Sequence, residues 1–193
     1  MARTFLVTGA TGSQGGATAR ALLSQNATVH ALVRNIDSPA SKVLREAGAI
    51  LFQGDFDDKI AINAATAGVS GIFLNPFPSF DPETQIRQAQ NLIDAGINSK
   101  TVETIVLSTA FFTGSHDIWG STDPSLGLQG YYTQKAAIED AVISAGLRYY
   151  TILRPSFLMQ NYLSPQASML NPELASEGML AHILRKGNED ATH

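Results

Sequence analysis

The stretch from Thr4 to Leu23, TFLVTGATGSQGGATARALL, limits what this chain can fold into more than any other. Phe5, Leu6 and Val7 read as a buried strand, Gly9, Gly12 and Gly15 as a tight loop, and Ala17 to Leu23 as a helix. That order suits a dinucleotide pyrophosphate. Gly9 can take a positive φ, Gly12 has no Cβ to obstruct a phosphate, and Gly15 lets the helix lie close on the strand. The first helical N–H groups then face the phosphates, with the helix dipole favouring their charge. The alternative is a glycine-rich turn that packs a helix on a sheet and binds nothing. Three spaced glycines with Thr8, Thr11 and Ser13 exceed what such a connection requires.

Further along, Ala-Gly recurs at Ala47-Gly48, Ala67-Gly68, Ala95-Gly96 and Ala145-Gly146, each after a helix-like stretch. Glycine just past a helix takes the left-handed conformation at little cost, so each pair is expected to stop a helix. Apolar runs follow at Ala49 to Phe52, Val69 to Leu74, Val102 to Leu107 and Tyr149 to Leu153. With Phe5 to Val7 and Val29 to Val33 they make about six strands separated by helices. The expected fold is therefore α/β, a Rossmann-like doubly wound parallel sheet covered by helices on both faces. A length of 193 residues suits a single domain, 1–193, divided into a cofactor-binding core, 1–155, and a partial substrate lobe, 156–193.

The formal net charge of -4 comes without a basic stripe, which argues against a nucleic-acid partner. Cysteine is absent, excluding disulfides and thiolate chemistry. Met1 to Thr4 run straight into the first strand, and no apolar run is long enough to span a bilayer. A cytoplasmic protein with no membrane partner is expected.

The second strand ends in Val33-Arg34-Asn35, where an NAD site usually carries Asp or Glu for the ribose 2′-hydroxyl. Arg34 suits a 2′-phosphate, so NADP(H) is favoured over NAD(H). The other reading is a solvated surface arginine, with Asp37 as an acidic partner nearby; Lys42 either supports the phosphate or is an exposed helix lysine. After the third strand, Asp55 and Phe56 are expected near the adenine, and Asp57 is expected to cap the next helix. Asn75, opening the turn Asn75-Pro76-Phe77-Pro78, either borders the cofactor ribose or belongs to a plain proline-rich connection.

The fifth strand ends in Leu107-Ser108-Thr109, placing two hydroxyls at the same edge, either of them suited to a substrate oxygen. Tyr131 and Lys135 are four apart and share a helix face. A neighbouring ammonium and a cofactor ribose can lower a tyrosine pKa, so that its phenol exchanges a proton with a carbonyl while nicotinamide exchanges hydride. Tyr-x-x-x-Lys also arises by coincidence on helices.

GATGSQGG, ALVRN, GDFDD and YYTQKAAIEDAVISAGLRYYTILRPSFLMQN together resemble the NmrA-like branch of the atypical short-chain dehydrogenases/reductases, over about residues 3 to 163. The resemblance implies a Rossmann fold with NADP(H) on the glycine loop and a substrate cleft over the nicotinamide. It implies pyrophosphate binding at Gly9, Thr11, Gly12, Ser13, Gln14 and Gly15, the 2′-phosphate at Arg34, and the adenine at Asp55 and Phe56. Lys135 matches the lysine that bonds the nicotinamide ribose, and Pro155 and Ser156 match the turn beside the nicotinamide.

That branch holds reductases of quinones, enones or aromatic compounds, and redox sensors that bind dinucleotide without turnover and regulate a protein partner. Sensor-like members often lack the tyrosine, so Tyr131 favours a reductase of a small carbonyl, quinone or enone. An isomerase or dehydratase on the same fold is a third reading. Phe111, Phe112, Trp119, Phe157 and Met159 form an apolar cleft or are plain core. Members of the branch are longer, so a shortened substrate lobe is expected, with the site open or covered by a second subunit of a homodimer. His30, His116, His182 and His193 lack metal-ligand spacing, and no metal is expected. Leu174 to Arg185 reads as a helix and Gly187 to His193 as a polar tail.

Overall fold

Parallel strands alternate with helices to build a six-stranded sheet in the order β3-β2-β1-β4-β5-β6. The structure is a computed structural model that describes residues 3–77, 79, 81–115, 128–156, 158–163, 168 and 176. In chain order the elements are β1 (Thr4–Val7), α1 (Ser13–Ser24), β2 (Thr28–Val33), α2 (Pro39–Glu46), β3 (Ile50–Gln53), α3 (Lys59–Thr66), β4 (Gly71–Leu74), α4 (Pro82–Ser99), β5 (Thr104–Ser108), α5 (Leu128–Ser144) and β6 (Tyr149–Leu153). Strands β1 to β3 step outward in one direction, then the chain returns to lay β4 on the other side of β1. This is the Rossmann-like doubly wound α/β fold, and it opens a crevice at the carboxyl ends of β1 and β4, where the connections leaving the two strands run to opposite faces of the sheet.

Strand alternation sends neighbouring side chains to opposite faces. Leu6 joins Ile62, Leu92 and Ile138 in the core under α3, α4 and α5, while Val7 joins Ala19, Val29 and Leu44 under α1 and α2. Both faces of β1 are thus buried, as a central parallel strand requires. Each such aliphatic side chain contributes roughly 1.5–3 kcal/mol by leaving water.

Three of the four Ala-Gly pairs end helices. Gly48, Gly68 and Gly146 take φ of +100°, +70° and +68°. The fourth does not: Gly96 lies inside α4, where an added Cβ would stand 3.1 Å from Ile72 Cδ1, so it serves close approach of helix to sheet. That helix is stopped instead by Lys100 at φ +58°. The first helix also begins earlier than the sequence pattern indicates, at Ser13 rather than Ala17, taking in Gly15 and Gly16, which are buried.

Contacts divide the chain into two units, 1–155 and 156–193. Within the second, the described residues include a 3₁₀ turn at Met159–Tyr162, held by bonds from Asn161 N to Leu158 O (2.9 Å) and Leu163 N to Gln160 O (3.0 Å). Apart from Ser176, the expected helix Leu174 to Arg185 lies outside the described residues, as do the tail Gly187 to His193, Trp119 and Phe157. No helix among the described residues is long and apolar enough to cross a membrane.

Candidate functional site

The β1–α1 loop folds back through Gly9, at φ +61°, and Gly12 N donates to Gly9 O at 2.9 Å. An added Cβ on Gly15 would run into Gly9 O and stand 2.6 Å from Thr8 O, so only glycine lets α1 start this close to the strand. The first helical bond is Gly16 N to Gly12 O, 2.9 Å, and no side chain caps the helix. The N–H groups of Ser13, Gln14 and Gly15 are therefore left without an intrahelical acceptor, beside exposed Thr11 and Gly12. A glycine cradle with unspent N–H donors at a helix N-terminus fits a pyrophosphate.

Thr8 stitches the crevice. Its hydroxyl donates to Phe73 O at 3.0 Å and accepts from Asn75 N at 2.8 Å, which fixes the loop leaving β4 beside the glycine turn. Two other helices hold the same loop: Lys135 Nζ donates to Pro76 O at 3.2 Å and Gln85 Nε2 to Phe77 O at 2.5 Å. Asn75 Nδ2 would stand 3.5 Å from a Cβ built on Gly9, so the loop borders the cradle directly.

On the other side of β1, Arg34 follows β2 and is exposed, with no hydrogen-bond or ion-pair partner among the described residues. Asp37 N bonds Asn35 Oδ1 at 2.8 Å, an Asx turn that leaves the Asp37 carboxylate unpaired with Arg34. Asp55 is exposed just past β3, with Oδ1 accepting from Asp57 N (2.9 Å) and Asp58 N (3.0 Å). The Phe56 ring packs against the core on the α3–α5 face, and Phe56 O accepts from Asn91 Nδ2 at 2.9 Å. The cap of α3 is a correction to the sequence reading: Asp58, not Asp57, accepts from Ala61 N at 2.9 Å. Asp57 is drawn away to Arg87 and Gln88, both of which hold its carboxyl below the usual carboxylate range.

At the carboxyl ends of β4, β5 and β6 lies a cavity of about 540 Å³, lined by Gln14 and Thr18 of α1 together with Phe73, Ser108, Leu153 and Arg154 among others. The two hydroxyls that end β5 separate here. Ser108 faces the cavity, its Oγ donating to Gln14 Oε1 at 2.8 Å. Thr109 does not, which corrects its reading as a substrate-orienting group: its buried hydroxyl donates to Glu139 Oε1 at 2.6 Å. Glu139 in turn accepts from Arg154 Nε (3.1 Å) and Nη2 (2.5 Å). Arg154, which lines the cavity, and Glu139, which holds it, are residues that sequence reasoning passed over. The available signals were an acid four residues after Lys135 on the same helix face, and an arginine at a strand end before Pro155.

Pro155 lines the cavity, and its carbonyl accepts from Phe111 N at 2.8 Å; Ser156 is exposed and opens the second unit. The Phe111 and Phe112 rings lie 4.2 Å apart, both substantially exposed, with Phe112 at φ +65°. Met159 is exposed too, so these residues are not core.

Tyr131 and Lys135 do share a face of α5, with Nζ 5.5 Å from the ring centroid. Burial raises the Tyr131 phenol, and neighbouring Tyr132 adds to the rise, against the lowering expected from a nearby ammonium. Lys135 itself is brought down to about 8 by burial. His30 is structural, its Nδ1 2.7 Å from Ala65 O and its ring 4.8 Å from that of Phe52. Among the described residues no group of acidic or histidine side chains is placed to hold a metal.

The sequence pattern that defines the NmrA-like family matches residues 1–185. The chain belongs to the NmrA-like family. One relative, an NmrA-like family domain-containing oxidoreductase, notA, of Aspergillus sp., is 41% identical over 120 residues, covering 58% of this chain and 35% of its own. The fold is similar to that of Citrobacter sp. triphenylmethane reductase complexed with NADP(H), with a TM-score of 0.67 at 23% identity, over 91% of this chain and 54% of that one. It is also similar to that of NmrA, a negative transcriptional regulator, in complex with NADP, with a TM-score of 0.63 at 21% identity, over 78% and 44% of the two chains. The chain spans less than half the length of the curated relatives it matches.

Proposed function

We propose that this chain binds a nicotinamide dinucleotide along the carboxyl edge of its sheet, NADP(H) in preference to NAD(H), and acts as an oxidoreductase reducing a small carbonyl, quinone or enone. The observation that carries the reading is the uncapped start of α1 over the Gly9–Gly12 turn, beside a cavity at the β4–β6 ends. The family's oxidoreductases and the NADP(H) complex of the triphenylmethane reductase support it.

When bound, a nicotinamide supplies hydride to the substrate. The chain's part is to hold and to protonate. Ser13, Gln14 and Gly15 N–H groups, with Thr11, take the pyrophosphate; Arg34 takes the 2′-phosphate; Asp55 and Phe56 border the adenine; Asn75 and Lys135 take the ribose; and Pro155 with Ser156 borders the nicotinamide. Ser108 orients the substrate, and Tyr131 Oη donates the proton. The phenol holds its proton at neutral pH, as a donor must, while burial, by raising it, makes it a weaker acid.

Titration with NADPH and NADH, followed by nicotinamide fluorescence, tests the cofactor site. Loss of Arg34's charge-assisted bonds, roughly 1.5–3 kcal/mol, predicts that Arg34→Ala weakens NADPH about ten- to a hundredfold and leaves NADH unchanged. Binding of neither nucleotide overturns the reading.

The second reading is a dinucleotide sensor acting on a protein partner. It is favoured by one observation, that Tyr131 is not among the residues lining the cavity. Binding without consumption of NADPH by a panel of carbonyl compounds selects it, whereas consumption abolished by Tyr131→Phe selects the reductase. Turnover without net NADPH loss selects an isomerase or dehydratase. A homodimer covering the substrate site and the exposed Tyr149, Tyr150 and Leu153 of β6 is a separate proposal, tested by sedimentation.

A further inference from the structure

The two hydroxyls around the cavity at the β4–β6 ends have already spent their hydrogens. Thr18 Oγ1 donates to Gln14 O at 3.0 Å, and Ser108 Oγ donates to Gln14 Oε1 at 2.8 Å. Arg154 has not. Its Nε and Nη2 engage the two oxygens of Glu139, which leaves both hydrogens of Nη1 and one of Nη2 without a partner among the described residues. The Glu139 side chain is only 4% exposed and that of Arg154 is 47% exposed, so the guanidinium is anchored from its buried side, and Arg154 lines the cavity. Thr109, bonded to Glu139 Oε1 at 2.6 Å and through its N–H to Leu153 O at 2.8 Å, keeps that carboxylate from rotating.

We propose that Arg154 binds an uncharged acceptor oxygen of the substrate in this cavity, distinct from the oxygen that Tyr131 protonates, and that Glu139 is the positioning residue that aims it. The inference rests on the reductase reading and narrows its substrate class. The fork offers directional donors, but its charge is already matched by Glu139. A ketone or quinone oxygen needs donors only. A carboxylate would have to shed its water against the apolar walls of Phe73, Ile152, Leu153 and Pro155 with no net positive charge to meet it. The cavity therefore selects flat carbonyl compounds over carboxylates of the same size.

Two flat two-ring probes, 1,4-naphthoquinone and 2-naphthoate, separate these cases by titration calorimetry on the full chain with and without NADP⁺. The wild-type chain is expected to bind the quinone at least tenfold more tightly than the naphthoate. Glu139→Gln keeps an oxygen for Arg154 but frees its charge, and should shift the ratio at least tenfold toward the naphthoate, a change that a purely structural role does not produce. Should that variant fail to fold, the double variant Glu139→Gln/Arg154→Leu, which strands no buried charge, should lose quinone affinity at least tenfold with NADP⁺ affinity kept. An unchanged quinone affinity in the double variant, an unchanged ratio in Glu139→Gln, or no preference for the quinone in the wild type overturns the proposal. NADP⁺ binding without the probe pattern removes Arg154's role alone. The probe pattern without NADP⁺ binding removes the cofactor reading instead.

Discussion

Lys135 Nζ donates to the Pro76 carbonyl oxygen at 3.2 Å, so α5 ties down the loop that leaves β4. The lysine is 3% exposed and has no ion-pair partner among the described residues. Its ammonium is thus held by a single carbonyl within the interior, beside the Tyr131 ring, where a dinucleotide ribose is proposed to bind.

A buried unpaired ammonium costs stability, and the cost depends on pH. Burial lowers Lys135 to about 8, below the value of about 10.4 for an unfolded lysine. Between these values the unfolded chain holds the extra proton, so stability from this group rises with pH. Below pH 8 the penalty is present in full, and above about pH 10.4 it is gone. Urea unfolding of the wild type and Lys135→Met should show the wild type gaining about 3 kcal/mol relative to the variant across that window. A flat difference would mean that Lys135 is better solvated than its burial indicates.

The strands were legible because each is a short apolar run set off by turn residues, and all of them pair as the alternation of strand and helix implies. Ambiguity entered where one residue type serves two purposes. Ala95-Gly96 reads as a helix stop, yet Gly96 is needed within α4 because Ile72 lies against it. Asp57 and Asp58 are equivalent as caps on the chain, and the choice is made by Arg87 and Gln88, some thirty residues away. Ser108 and Thr109 are equally placed at a strand end, and Thr109 is withdrawn from the cavity by Glu139, thirty positions on. Local pattern sets elements; distant partners set which side chains remain free for chemistry.

Glycine substitutions should separate the cradle from ordinary helix positions. A Cβ on Gly15 meets only backbone atoms, Gly9 C at 2.5 Å and Thr8 O at 2.6 Å, which cannot swing aside. Gly15→Ala should destabilise the chain by about 3 kcal/mol, at the upper end of overpacking costs, and abolish nucleotide binding. Gly130, in α5 with nothing within 4 Å of its added Cβ, should gain up to about 1 kcal/mol on Gly130→Ala. Thermal unfolding of both variants checks the pair; equal effects would show that α1 can retreat from the loop.

Thr8→Val tests the stitch between β1 and β4. Phe73 O keeps its bond from Thr8 N, at 3.0 Å, but Asn75 N loses its acceptor. One orphaned donor at this fully buried threonine costs about 1–3 kcal/mol. Because Asn75 borders the cradle, nucleotide affinity should fall together with stability. Loss of stability with unchanged NADPH affinity would separate the loop from the cofactor site.

The Glu139–Arg154 pair is unequal, and its two single variants should differ accordingly. Removing the acid leaves a half-exposed guanidinium that water can solvate, so Glu139→Leu loses mainly charge-assisted bonds, about 1.5–3 kcal/mol. Removing the base strands a carboxylate 4% exposed with only the Thr109 hydroxyl to hold it. Arg154→Leu should therefore cost about 3–5 kcal/mol. Urea unfolding of both variants at pH 7 checks the asymmetry; equal costs would show that Glu139 reaches water once its partner is gone.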